Sequence, residues 1–91
     1  MPRYLIERTF HEGLDLPGPG QGDEARLAFI ENNTLDGVTW IHSYVSPDRK
    51  KSFCIYDAPT PEALRRVAQR NHLPIDRITE VGVLDPYFYT G

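Results

Sequence analysis

Several side chains with metal-binding chemistry lie on predicted strands or at their ends. Imidazole is the commonest protein ligand for metals, and carboxylates and thiolates are the other usual donors. Imidazole and carboxylate together suit Ni²⁺, Zn²⁺, Co²⁺ or Cu²⁺, whereas a thiolate favours softer ions such as Zn²⁺ or Cu⁺. These residue types predict a site for a divalent first-row metal, and its candidate ligands are His42, Glu7, Glu80, Cys54 and His11.

A predicted β-hairpin over residues 37–57 carries the densest part of this chemistry. One face of it alternates Trp40, His42 and Tyr44 with Ser52, Cys54 and Tyr56. A sheet face that only meets water does not need a Trp, two Tyr, a His and a Cys, so this face predicts a site or an interface. Trp40, Tyr44 and Tyr56 are the candidates for lining a small-ligand pocket. The competing interpretation is structural, with His42 as a hydrogen-bonded sheet residue and Cys54 as a small buried hydrophobe.

Hydrophobic periodicity and cap signals place these residues on six elements. Strands are predicted over residues 4–11, 38–45, 51–57 and 75–84, and helices over 23–33 and 61–73. Thr60 suits an N-cap, Pro61 the first helical position, and Pro74 a helix stop. A loop rich in Gly and Pro spans residues 12–22, and a tail covers 85–91.

The order strand, helix, strand, strand, helix, strand predicts an α+β, ferredoxin-like βαββαβ sandwich as a single domain over residues 1–91. Its usual sheet is antiparallel with strand order 4-1-3-2, and both helices lie on one face.

Alternation divides the strand residues between two faces. The more aliphatic set predicts the helix-covered face: Tyr4, Ile6, Phe10, Ile41, Val45, Phe53, Ile55, Val81 and Val83. The other set is still too apolar to stay in water, because it holds Leu5, Val38, Trp40, Tyr56, Ile78 and Leu84. We therefore expect a homodimer packed sheet against sheet, as in dimeric α/β-barrel proteins. The same parity places Glu80, Glu7, Cys54 and His42 together on this second face, one on each of four adjacent strands, and leaves their register along the strands open.

Composition excludes several function classes. The chain has 91 residues, 40% of them hydrophobic and 25% charged, with a net charge of −3, so we expect no nucleic-acid binding. A single cysteine excludes an internal disulfide, and the sequence shows neither a signal-peptide pattern nor an apolar run long enough to span a membrane. We expect a cytoplasmic protein without membrane association. No nucleophile elbow, phosphate loop or paired-cysteine motif is present.

The chain resembles a small bacterial family, known as a domain of unknown function, that includes a nickel-binding protein of ferredoxin-like fold. The resemblance rests on MPRYLIERTF at 1–10, GVTWIHSYVS at 37–46, FCIYDAP at 53–59, ITE at 78–80 and DP at 85–86. It implies a homodimer that binds a first-row metal and has no established catalytic activity. We therefore predict a non-catalytic protein that binds Ni²⁺ or another divalent first-row metal for buffering, storage or sensing. Positions that match the family's strand motifs and can bind metal are Glu7, His42, Cys54 and Glu80, with Tyr44 as an outer candidate.

An alternative function stays open at this point. It is a small-ligand binder or cofactor-independent enzyme of the dimeric α/β-barrel type, with an aromatic pocket around Trp40, His42 and Tyr44 and the Gly/Pro loop as its lid.

Overall fold

The fold is described by a computed structural model over residues 1–14 and 35–90. The elements are β1 (Arg3–Thr9), β2 (Thr39–Val45), β3 (Lys51–Asp57), α1 (Pro61–Arg70), β4 (Arg77–Val81), β5 (Val83–Leu84) and β6 (Tyr89–Thr90). The helix predicted over 23–33 lies outside the described residues, as does most of the predicted Gly/Pro loop. No helix within the described ranges is long and apolar enough to cross a membrane.

Four strands form one antiparallel sheet in the order β2-β3-β1-β4, which is β4-β1-β3-β2 from the opposite edge. Helix α1 packs on one face of this sheet. The prediction of an α+β protein with a four-stranded antiparallel sheet is confirmed.

The start and stop signals predicted for the second helix are present in α1. Thr60 Oγ1 accepts a hydrogen bond of 3.2 Å from the backbone N–H of Ala63, and Pro61 occupies the first turn. Such a cap stabilises a helix by about 1 kcal/mol. His72 then takes a left-handed conformation with φ 55°, which ends the helix before Pro74.

The core lies between α1 and one face of the sheet. The buried face of α1 consists of Ala63, Leu64, Val67 and Ala68. The sheet side of the core comes from paired residues, because Tyr4 lies opposite Tyr56 and Ile6 lies opposite Cys54. The predicted assignment of β1 to the core through Tyr4 and Ile6 is therefore confirmed.

The predicted faces of β3 and β4 are inverted. Cys54 and Tyr56 are buried beneath α1, whereas Phe53 and Ile55 are only half-buried on the other face. On β4, Ile78 pairs with Ile6 and packs against the core. Alternation along one strand defines two faces, but the pairing with β1 decides which of them the helix covers.

A β-bulge at Ile41 changes the parity of β2. Trp40 pairs with Tyr56, but the next paired residue is His42, which lies opposite Ile55. Trp40 and His42 therefore lie on opposite faces, since a bulge inserts one extra residue into the alternation. Ile41 and Val45, predicted to be in the core, are 40% and 37% exposed.

The fourth strand is shorter than predicted and the tail is ordered. β4 ends at Val81, and after Gly82 the strand β5 pairs with β6 in a separate two-stranded sheet. The Asp85 carboxylate builds the turn between them, because its Oδ1 accepts hydrogen bonds from the N–H groups of Tyr87 (2.8 Å) and Phe88 (3.1 Å).

Candidate functional site: the open sheet face

The sheet face opposite α1 is called here the open sheet face. Strand pairing arranges it in three transverse rows, which are Val81-Arg3-Asp57-Thr39, Thr79-Leu5-Ile55-His42 and Arg77-Glu7-Phe53-Tyr44. None of these residues is buried. Leu5, Phe53 and Ile55 form an apolar centre, and charged residues lie in the outer two rows. An apolar centre with a polar rim is typical of an interface or a binding surface.

Of the two candidate metal ligands on the open sheet face, His42 and Glu7, His42 is the more exposed. It is exposed, and its ring meets that of Tyr44 edge-on, with centroids 5.1 Å apart. On the other face, Trp40 Nε1 donates a hydrogen bond of 2.9 Å to Ser43 Oγ. The two contacts agree with the bulge, since each joins side chains on the same side of β2.

Glu7 shares the open sheet face with His42 but does not meet it within one chain. Glu7 lies on β1 and His42 on β2, with β3 between them and one row of offset. Two strand spacings alone amount to about 10 Å. Within residues 1–14 and 35–90, no three side chains of the His, Cys, Asp and Glu types come together at a metal-binding distance.

The prediction that Glu80, Glu7, Cys54 and His42 share one face is wrong. Cys54 is 7% exposed in the core, with Sγ 3.7 Å from Ser52 Oγ. Glu80 pairs with Tyr4 and therefore lies on the α1 side of the sheet edge. Strand alternation thus separates Cys54 and Glu80 from Glu7 and His42. His11 is exposed in the turn after β1, outside the three rows.

The charge environment of Tyr4 agrees with this placement of Glu80. Burial raises the pKa of the Tyr4 hydroxyl, and the charges of Glu80 and Glu62 raise it further. Glu62 lies in the first turn of α1, so a carboxylate from the helix and one from β4 both lie near the same tyrosine.

The predicted aromatic pocket is not assembled. Trp40 lies on the α1 side, Tyr44 is 64% exposed on the open sheet face, and Tyr56 is 1% exposed in the core. Burial raises the pKa of the Tyr56 hydroxyl, while the nearby Arg8 guanidinium acts in the opposite direction. The three aromatic residues therefore do not share one cavity, and their ligand-binding roles stay predictions.

Two arginines with defined partners were missed at the sequence level. Arg8 is 3% exposed and donates a hydrogen bond of 2.8 Å to the carbonyl of Pro74. Arg3 holds Asp57 through two contacts, Nε–Oδ1 at 2.9 Å and Nη2–Oδ2 at 3.3 Å. This pair lowers the pKa of the Asp57 carboxyl and closes one end of the open sheet face. Arg3 and Asp57 are 54 positions apart, so only the strand register reveals them.

A cleft of about 340 Å³ lies where β4 ends. Its walls include the Arg3–Asp57 pair, Glu80 and Val83. It is a different region from the one around His42, because Glu80 and Val81 lie on β4 at one edge of the sheet and His42 lies on β2 at the other.

Comparison with known proteins gives two matches. A crystal structure of SCO4226 from Streptomyces coelicolor A3(2) superposes with a TM-score of 0.71 at 20% identity, covering 91% of this chain and 99% of that chain. At this identity the likeness shows a shared fold. A search of the curated proteins found no match. The sequence profile described as "Nickel responsive protein SCO4226-like" matches residues 4–81, and the chain therefore belongs to the SCO4226-like family of nickel responsive proteins.

Proposed function

We propose that this protein is a non-catalytic, homodimeric, cytoplasmic protein that binds Ni²⁺, for metal buffering, storage or sensing. The observation that carries the proposal is the family match over residues 4–81, which covers the four strands of the main sheet except for Arg3 at the start of β1. The family description links these proteins to nickel. The step from nickel response to nickel binding is the proposal.

The donor chemistry of the open sheet face fits a first-row divalent ion. His42 offers an exposed imidazole and Glu7 a half-buried carboxylate, both of which suit Ni²⁺. The distance between them prevents them from sharing one ion in a single copy. A coordination shell at His42 is therefore completed by donors from a second copy or from water.

The open sheet face supports the homodimer. Its centre is apolar and α1 packs on the opposite face, so Leu5, Phe53 and Ile55 gain by pairing with another surface. Two-fold symmetric dimers are the commonest oligomers, and they place identical faces against each other. Such a pairing brings the His42 row of one copy against the sheet of the other.

Calorimetric titration of Ni²⁺ into tag-free, metal-free protein tests this function. We expect His42→Ala to weaken Ni²⁺ binding by about tenfold or more, because losing a metal ligand or its close support lowers the affinity of a site by at least this factor. His72→Asn is the matched control, because His72 is an exposed histidine in the left-handed region, which asparagine tolerates. Wild-type protein without Ni²⁺ affinity would refute the function. Equal affinity in wild type and His42→Ala would refute the site while leaving the function.

A further inference from the structure

Residues 83–90 form a small hairpin beyond β4, called here the C-terminal arm. Leu84 pairs with Tyr89, so their side chains lie on the same side of the hairpin, and Val83 pairs with Thr90. Asp85 is the arm's only charged residue, and its carboxylate is bound to the backbone of the turn.

The arm exposes an unusual amount of apolar surface. Leu84 is 75% exposed, Tyr87 88%, Phe88 63% and Tyr89 64%. Two-stranded hairpins are marginally stable in water unless they pack on another surface. The arm also lies beyond residues 4–81, the part of the chain that the family profile matches. It is therefore an apolar addition to the fold that needs a surface to pack against.

The open sheet face is a suitable surface and connects directly to the arm. Val81, the last residue of β4, lies on that face, and the arm begins two residues later. If two copies pair through their open sheet faces, each arm therefore starts at the edge of the interface. Each copy has one arm and one open sheet face. A two-fold symmetric dimer therefore buries both arms and both faces.

We propose that the C-terminal arm of each subunit packs its Leu84–Tyr89 pair against the open sheet face of the other subunit. The proposal rests on the proposed homodimer and adds to it the segment that holds the two copies together. The arm's low charge suits this role, because burying it leaves no unpaired charged group in the interface.

The first test measures self-association of the full chain by sedimentation equilibrium. We expect wild type to be a dimer and the double variant Leu84→Ser/Tyr89→Ser to have a dissociation constant about tenfold higher. The reason is that a few large side chains buried in an interface contribute most of its binding free energy. Leu35→Ser is the matched control, because Leu35 is 72% exposed and lies outside the arm. It should leave the dissociation constant unchanged.

The second test locates the arm. A spin label is attached at Pro86→Cys in a Cys54→Ala background, and this protein is mixed with unlabelled ¹⁵N protein. We expect broadening of the ¹⁵N amides of Leu5, Ile55 and Thr79 in the mixture, because only a neighbouring copy carries the label there.

The possible outcomes separate the two proposals. If the arm variant has the same dissociation constant as wild type, and no amide of the open sheet face broadens, the arm proposal is overturned and the homodimer stands. A wild type that stays monomeric at all concentrations overturns both. Broadening seen only when label and ¹⁵N are on the same molecule shows that the arm folds onto its own chain, which also overturns the proposal.

Discussion

His42 lies edge-on to Tyr44, with the two ring planes perpendicular and their centroids 5.1 Å apart. His42 and Tyr44 are two residues apart on β2 and therefore share a face, and the bulge at Ile41 turns that face away from Trp40 and onto the open side of the sheet. The imidazole is thereby placed on the same face as Glu7 instead of beside the core thiol of Cys54. The proposed metal chemistry consequently depends on one imidazole and on carboxylates from this face.

Glu7 is expected to contribute to metal binding across the proposed dimer interface. Glu7→Gln keeps the size of the side chain but removes its charge, so we expect Ni²⁺ affinity to fall by about tenfold, the usual effect of losing a ligand or its close support. Calorimetry under the conditions used for His42→Ala measures the change. Glu62→Gln is the control, because Glu62 is exposed in the first turn of α1 on the opposite side of the sheet. Equal affinities in all three proteins would exclude Glu7 as a ligand.

Cys54 is expected to act in the core and not in metal binding. Its thiol is buried under α1 and lies near Ser52, so Cys54→Ala should leave the affinity for Ni²⁺ unchanged. The lost packing should lower the free energy of unfolding by about 1 kcal/mol. Urea unfolding at a fixed protein concentration measures the change in the free energy of unfolding. A large loss of Ni²⁺ affinity without a loss of stability would restore Cys54 as a ligand.

The parts of this fold that the sequence predicts are those decided by neighbours in the chain. The cap at Thr60 acts within three residues, and the alternation of Tyr4 and Ile6 defines the buried side of β1 without reference to another strand. The buried stripe of α1 likewise follows from its own spacing of Leu64 and Val67.

The candidate site was harder to predict because it depends on register between strands. Phe53 and Ile55 are more hydrophobic than Cys54 and Tyr56, so composition assigned them to the core, yet the pairing of Ile6 with Cys54 places them on the open sheet face. A bulge has no strong sequence signal, and the one at Ile41 split Trp40 from His42. The link to nickel came from family resemblance, since no pattern of ligands in the chain specifies that metal.

Leu64 should be among the largest single contributors to stability. It is 1% exposed at the centre of the contact between α1 and the sheet, so Leu64→Ala leaves a cavity as well as removing buried methyl groups. We expect the free energy of unfolding to fall by about 3 kcal/mol, within the range for such substitutions. Leu35→Ala, at a position 72% exposed, should change it by less than about 0.5 kcal/mol. Urea denaturation followed by circular dichroism compares the two, and similar losses would contradict the packing described for α1.

The Arg3–Asp57 pair should stabilise the folded protein in a pH-dependent manner. Arg3 lowers the pKa of the Asp57 carboxyl in the folded state, so the stabilisation is fully present above the ordinary aspartate pKa of about 4. It is lost as pH falls from there through the lower folded-state pKa, because protonation then removes the ion pair. The side chains of Arg3 and Asp57 are 36% and 27% exposed, so solvent screening keeps the gain small. Thermal unfolding of wild type and Asp57→Asn from pH 7 to pH 2.5 should therefore show a small difference at neutral pH that disappears in acid. A difference that persists unchanged at the lowest pH would mean that Asp57 acts by packing and not by its charge.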